Sequence, residues 1–215
     1  MIPFRDSEAT RRLTPANTVL IVANLAVFAL EIDLGRKAVP MLAPYAMVPA
    51  RLTHLHFAHP VSILATLATL VTSSFLHAGI FHIAGNMLYL FIFGPAVEQR
   101  LGWRRYTAFY FAAAIAAGFA MVAMGPDSRV PVIGASGAIA GVLGAYVVSV
   151  PLTRSLPAIL VVGIWAATQF ATGFDTLGPQ APASGGTAYF AHIGGFSMGV
   201  LLAVLFKLHA IRIST

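Results

Sequence analysis

The chain contains no cysteine, and only 9% of its 215 residues are charged. The first absence excludes disulfides, thiolate catalysis and thiolate-ligated zinc. The second excludes an ordinary soluble domain, which carries charge at about a quarter of its positions. Acidic residues are fewer than basic ones, seven against thirteen Lys and Arg. Apolar residues fill the rest: 58% of the sequence is hydrophobic and the mean hydropathy is +0.83. Long apolar runs between clustered charges describe an all-α integral membrane protein.

Crossing about 30 Å of hydrocarbon takes roughly 20 helical residues. Six windows come close to that length: 17–34, 78–97, 105–124, 136–152, 156–174 and 188–207. They predict a six-transmembrane-helix bundle, one membrane domain over 1–215 with a short tail at 1–16. The first window lacks a small-residue cleavage site and reads as a retained span. Residues 35–76 form a long first outside loop, whose segment 61–76 is apolar but short and is placed in the interface. With the N-terminus in the cytoplasm, the inside segments carry Arg5, Arg11, Arg12, Arg100, Arg104, Arg105, Arg154, Lys207 and Arg212. The outside loops carry Arg36, Lys37, Arg51 and Arg129. The positive-inside rule therefore puts both termini in the cytoplasm, and the basic excess calls for no nucleic-acid partner. Glu98, beside Arg100, Arg104 and Arg105, reads as part of a solvated or ion-paired inner loop, with Trp103 and Tyr106 as interface anchors. The Gly- and Pro-rich stretch 178–186 predicts an outside loop ahead of the last span.

Polar side chains in hydrocarbon are costly, so each one inside a window asks for a reason. Ser136, in the run Gly134-Ala135-Ser136-Gly137, heads the fourth window, and His192, in Ala191-His192-Ile193-Gly194-Gly195, lies near the head of the sixth. In the second window His82 and Asn86, four residues apart, share one helix face, while His77 falls at the loop junction. Given the topology, these groups share the outer leaflet, roughly 5 to 15 Å below its surface at 1.5 Å per residue. Gly137 and Gly141 on one helix, and Gly195 and Gly199 on another, are spaced to let two helices touch. Such contact would bring the Ser136 hydroxyl to the His192 imidazole, the pairing of a nucleophile with its base. Taken singly, each polar residue could equally be an interhelical hydrogen bond. Trp165 and Gln169 share a face of the fifth window, as a buried hydrogen bond or as the lining of a gate. The loop histidines His54, His56 and His59 receive no function.

Together these residues resemble the rhomboid family of intramembrane serine proteases. The resemblance rests on the Gly-x-Ser-Gly run at 134–137, the pattern of His77, His82 and Asn86, the stretch Gly94-Pro95-Ala96-Val97-Glu98 with Leu101-Gly102, and Ala191-His192-Ile193-Gly194-Gly195-Phe196. It implies that Ser136 is the nucleophile and His192 its general base. It also implies that the Ser136 backbone N–H, His82 and Asn86 form an oxyanion hole. Two features depart from the pattern. Some bacterial relatives place a tyrosine four residues after the nucleophile to pack against the base, where this chain has Ala140, so the orientation of His192 must come from elsewhere. The Trp-Arg pair of the long first loop in some members is also missing between residues 35 and 76.

A neutral imidazole can take the proton that makes a serine hydroxyl nucleophilic. No carboxylate falls in the outer halves of the second, fourth and sixth windows, so the sequence predicts a Ser-His dyad rather than a triad. The expected activity is endopeptidase cleavage of transmembrane segments of other membrane proteins through an acyl-enzyme, inside a lipid bilayer, with a bacterial inner membrane as the expected setting. No metal or organic cofactor is expected. A zinc hydrolase built on His77, His82 and His192 would lack its carboxylate base and its His-Glu-x-x-His run.

Overall fold

The computed structural model describes residues 14–55, 60–150, 152–175 and 189–213. The tail through residue 13, the stretch 178–186, His56 and His59 lie outside the described residues. Helices dominate: α1 (Pro15–Leu34), α2 (Ala38–Leu42), α3 (Pro49–Thr53), α4 (Pro60–Thr72), α5 (Ile80–Leu101), α6 (Trp103–Met124), α7 (Ser136–Ser149), α8 (Leu152–Asp175) and α9 (Tyr189–Ile213). Among the described residues the extended pairing is a single antiparallel bridge between Met47 and Val132. Among the described residues five segments are long and apolar enough to cross a membrane: Pro15–Tyr45, Ile80–Leu101, Trp103–Met124, Leu156–Gly173 and Tyr189–Lys207. The chain is a multi-pass integral membrane protein.

The fourth window departs from expectation. Its helix, α7, runs only 14 residues, about 21 Å at 1.5 Å per residue, and ends at Val150, which is extended (φ −91°, ψ 128°) before a proline. The length that hydrocarbon demands does not apply to it, because protein surrounds it: every residue from 137 to 146 is buried. α7 is the axis of the bundle, packed against α5, α6 and α9. Its contact with α9 is backbone on backbone. A Cβ added to Gly195 would fall on the Gly137 carbonyl oxygen, and one on Gly199 on the Gly141 carbonyl. The two small-residue spacings thus meet as expected, and larger side chains at either would prise α7 from α9.

The other end of the bundle holds a second departure. Glu98 is not in a solvated loop: it is 3% exposed. Its two carboxylate oxygens accept the backbone N–H groups of Ala16 (3.1 Å) and Asn17 (2.7 Å). The first N–H groups of a helix have no partner within it, and Pro15 together with Thr14 supplies no side-chain cap to α1. A carboxylate from α5 fills that role and complements the helix dipole. Asn17, 2% exposed, donates from Nδ2 to the Leu90 carbonyl (3.2 Å) and accepts the Tyr106 hydroxyl on Oδ1 (2.8 Å). Tyr106 is therefore a buried strut between α1 and α6, not an interface anchor. Trp103 is 55% exposed with the Arg104 guanidinium 5.0 Å above its ring, as an anchor would be. Gly102, at φ +77°, makes the tight turn from α5 to α6 that places Glu98 and Tyr106 on one level.

Candidate active site

The loop that enters α7 is pinned from below. The Val132 N–H donates to the Met47 carbonyl (2.7 Å) and the Gly134 N–H to the Ser73 carbonyl (2.9 Å). Gly134 has φ +115°, a conformation that L side chains rarely adopt. A Cβ there would also meet the His82 ring at 2.7 Å and the Asn86 amide nitrogen at 3.7 Å. The loop thus lies directly against the polar face of α5, two residues before Ser136. Ser136 is the first residue of α7, and the residue before it, Ala135, offers no side-chain cap. The N-terminal N–H groups of this helix consequently face the site without a side-chain acceptor, at the positive end of the dipole.

His192 comes from the first turn of α9, where the close approach of Gly195 and Gly199 to α7 sets its distance from Ser136. Its Nε2 lies 2.8 Å from Ser136 Oγ. Its Nδ1 lies 2.7 Å from Oε1 of Gln169 on α8, and the Trp165 ring stands 5.7 Å away, tilted by 44°. The expectation that support for His192 would come from somewhere other than position 140 points here: Trp165 and Gln169, one helical turn apart, both face the imidazole. Of the two readings that the sequence left open for Gln169, the structure has a hydrogen bond between helices, partly buried. What the sequence missed was its partner, 23 residues further along and on another helix.

His82 and Asn86 occupy successive turns of α5 across from Ser136. The Ala78 N–H donates to His82 Nδ1 at 3.4 Å, so the neutral ring carries its proton on Nε2, the atom that faces Gly134. Asn86 is 8% exposed, and its Nδ2 is a buried donor without a protein partner. An orphan donor in such a place costs free energy unless something else fills it. His77 sits before α5, 4% exposed, its ring edge-on to His82 at 5.1 Å. Its Nδ1 lies 3.2 Å from the Phe75 carbonyl, and its backbone N–H donates to the Glu31 carboxylate of α1 at 3.1 and 3.3 Å. Burial, then repulsion from His82, pushes the His77 imidazole down to about 4, so it is neutral at ordinary pH and supports the start of α5. A cavity of about 30 Å³ adjoins Ser136, with Ser73, Ser74, Gly134 and Ala191 in its wall; a water needs roughly 10 to 15 Å³. No cluster of three or more His, Cys, Asp or Glu side chains suited to a metal occurs among the described residues.

Comparison with known proteins gives a consistent picture. The Rhomboid domain family matches residues 64–208, which include all the groups above except the Met47 carbonyl and the Glu31 carboxylate. RHOMBOID-like protein 1 of Arabidopsis thaliana is 30% identical over 224 aligned positions, covering 90% of this chain and 53% of the relative. Rhomboid protein 1, mitochondrial, of Saccharomyces cerevisiae is 32% identical over 139, covering 62% and 40%. Rhomboid-type serine protease 2 of Emericella nidulans is 33% identical over 137, covering 60% and 25%. The chain thus spans about half or less of the length of these relatives.

Proposed function

The chain belongs to the rhomboid family, and from that premise we propose that it is an intramembrane serine endopeptidase that cleaves transmembrane segments of other membrane proteins. The observation that carries this reading is the 2.8 Å approach of His192 Nε2 to Ser136 Oγ, with the opposite ring nitrogen held by an amide oxygen. An amide oxygen can only accept, so the ring proton is on Nδ1 and the Nε2 lone pair faces the hydroxyl. Ser136 attacks the scissile carbonyl as its proton passes to Nε2. The tetrahedral oxyanion forms against Asn86 Nδ2–H, His82 Nε2–H and the Ser136 backbone N–H. As the peptide C–N bond breaks, His192 returns the proton to the leaving amine, and an acyl-enzyme is left on Ser136. Water then repeats the sequence from the other side, and the cavity beside Ser136 has room for it. Each preorganised donor contributes about 3 to 4 kcal/mol to such a transition state. The mechanism uses no metal and no organic cofactor.

We place α7 as a sixth span, shorter than the bilayer and sheathed by the others. Its C-terminal Ser149 carbonyl accepts Arg100 Nε (2.9 Å), which supports a helix reaching the inner level. Both termini are assigned to the cytoplasm by the positive-inside bias, in one domain over the whole chain. The membrane is taken to be a bacterial inner membrane; the name of the yeast relative places that protein in mitochondria. The favoured substrate is a helix that unwinds readily, one with Gly, Pro or polar residues in its span, because a stable helix hides its peptide bonds.

The test is labelling of the purified protein in mild detergent by a fluorophosphonate probe, with Ser136→Ala and His192→Ala beside wild type. Labelling of wild type and its loss in both variants is the expected result, with cleavage of a Gly-containing model transmembrane helix following the same order. A folded wild type that neither labels nor cleaves would overturn the reading in favour of a protein that binds membrane clients without cutting them.

A further inference from the structure

Gln169 makes a second contact whose direction matters. Its Nε2 donates to Thr168 Oγ1 at 3.3 Å, while the single hydroxyl proton of Thr168 is committed to the Trp165 carbonyl at 2.7 Å. Turning the amide over would set its oxygen against a hydroxyl oxygen with no proton left to give. The amide is therefore held with Oε1 toward His192, 2.7 Å from Nδ1. The consequence runs through the ring: an acceptor at Nδ1 requires the proton there, and Nε2 is left with its lone pair toward Ser136 Oγ, 2.8 Å away. Were Nδ1 bare, Nε2 would carry the proton and could not take another from the serine.

We propose that Gln169, its amide direction set by Thr168, is the positioning residue of His192 and does for this dyad what an acidic third member does in a triad. Trp165, 5.7 Å from the ring, limits its rotation where Ala140 gives no bulk. This rests on the protease reading above and adds to it that the base is orientated from α8, not from the helix bearing the nucleophile. The outward face of α8 is unpacked, with Leu156, Leu160, Val161 and Ile164 exposed. Dyad competence is thus tied to the seating of an element held mainly along one side.

The test compares wild type, Gln169→Leu and Gln169→Glu in fluorophosphonate labelling rate, kcat and KM on a model transmembrane helix, and the pH profile of kcat/KM. Gln169→Leu keeps the packing but accepts nothing, and its labelling rate and kcat fall about 10- to 100-fold, as when one orienting hydrogen bond is removed, with KM little changed. Gln169→Glu restores most of the rate, and the acid limb of its profile moves to higher pH, since a carboxylate beside Nδ1–H stabilises the protonated ring. His82 on α5, the titratable neighbour of His192, is common to all three, so the displacement reports the new carboxylate. Nitrogen-15 spectra of histidine-labelled protein, with His192→Ala to assign the signal, show Nδ1–H in wild type and its loss in Gln169→Leu. A wild type that labels beside a Gln169→Leu that labels as fast, both folded, overturns this proposal alone. An unmoved acid limb in Gln169→Glu overturns it too. A wild type that never labels overturns the protease reading and this one with it.

Discussion

Two helices of this protein begin inside the bundle, and they are treated in opposite ways. At α1, the N-terminal N–H groups of Ala16 and Asn17 are met by the Glu98 carboxylate, and the surrounding Asn17 is itself paired with Leu90 and Tyr106. At α7, the residue before Ser136 supplies no cap, and the nearby Asn86 amide is buried without a partner. The physical situation is the same in both places, a positive helix end where water is scarce. Only the source of the negative charge differs. The protein provides it at α1; at α7, on the mechanism proposed, the reaction provides it. A buried donor that is satisfied stabilises the fold, and one left open stores a preference for an anion that is not yet there.

The comparison predicts a crossing of effects. Glu98→Ala removes two charge-assisted hydrogen bonds and strands two N–H groups, a loss of roughly 3 to 6 kcal/mol of stability. Unfolding in detergent should show it as the largest change of the set, while the folded fraction labels with fluorophosphonate at the wild-type rate. If Glu98→Ala were as stable as wild type, the Glu98 cap would be ornamental. Asn86→Ala should do the reverse: kcat falls about 10²- to 10³-fold, some 2.7 to 4 kcal/mol in the barrier, while stability holds or rises because an orphan amide has gone. An Asn86→Ala that unfolds easily would make the amide a structural strut and erase the contrast. Gly134→Ala falls between them. Its Cβ meets the His82 ring at a φ costly for any L side chain, so both stability and kcat should drop, by about 1 to 2 kcal/mol and about tenfold. A drop in stability with unchanged kcat would separate His82 from the site.

How much of this could be read from sequence follows the same division. Ser136, His192, His82 and Asn86 stood out because a polar side chain in an apolar window has few reasons to be there, and the glycine spacings of α7 and α9 showed which helices could meet. The extent of α7 was not legible, since span length is set by contact with lipid and burial by protein removes that requirement. In one dimension Glu98 reads as solvated or ion-paired because Arg100, Arg104 and Arg105 follow it, and Tyr106 reads as an interface anchor because aromatic residues gather at the head-group level. Their burial depends on α1 returning its first turn to the end of α5, some eighty residues away in sequence. Gln169 was visible as a polar residue in a span, but a hydrogen bond between two helices has no local signature.

The smallest expected effect is also the most discriminating. Tyr106→Phe deletes one hydroxyl, fully buried, whose partner is Asn17 Oδ1 at 2.8 Å. The ring stays and the cavity is negligible, so the cost is that of one buried hydrogen bond and the acceptor it leaves behind, about 1 to 2 kcal/mol. The Glu98 cap is untouched by this change, because it acts on the backbone of Ala16 and Asn17 and not on the Asn17 side chain. Unfolding in detergent should therefore show a modest loss, with labelling and cleavage at wild-type rates. A loss approaching that of Glu98→Ala would mean that the Asn17 side chain, not the carboxylate, seats α1. The Glu98, Asn17 and Tyr106 network would then be one cooperative unit in which removing any member releases the whole helix end, and the separation of cap from strut drawn above would have to be given up.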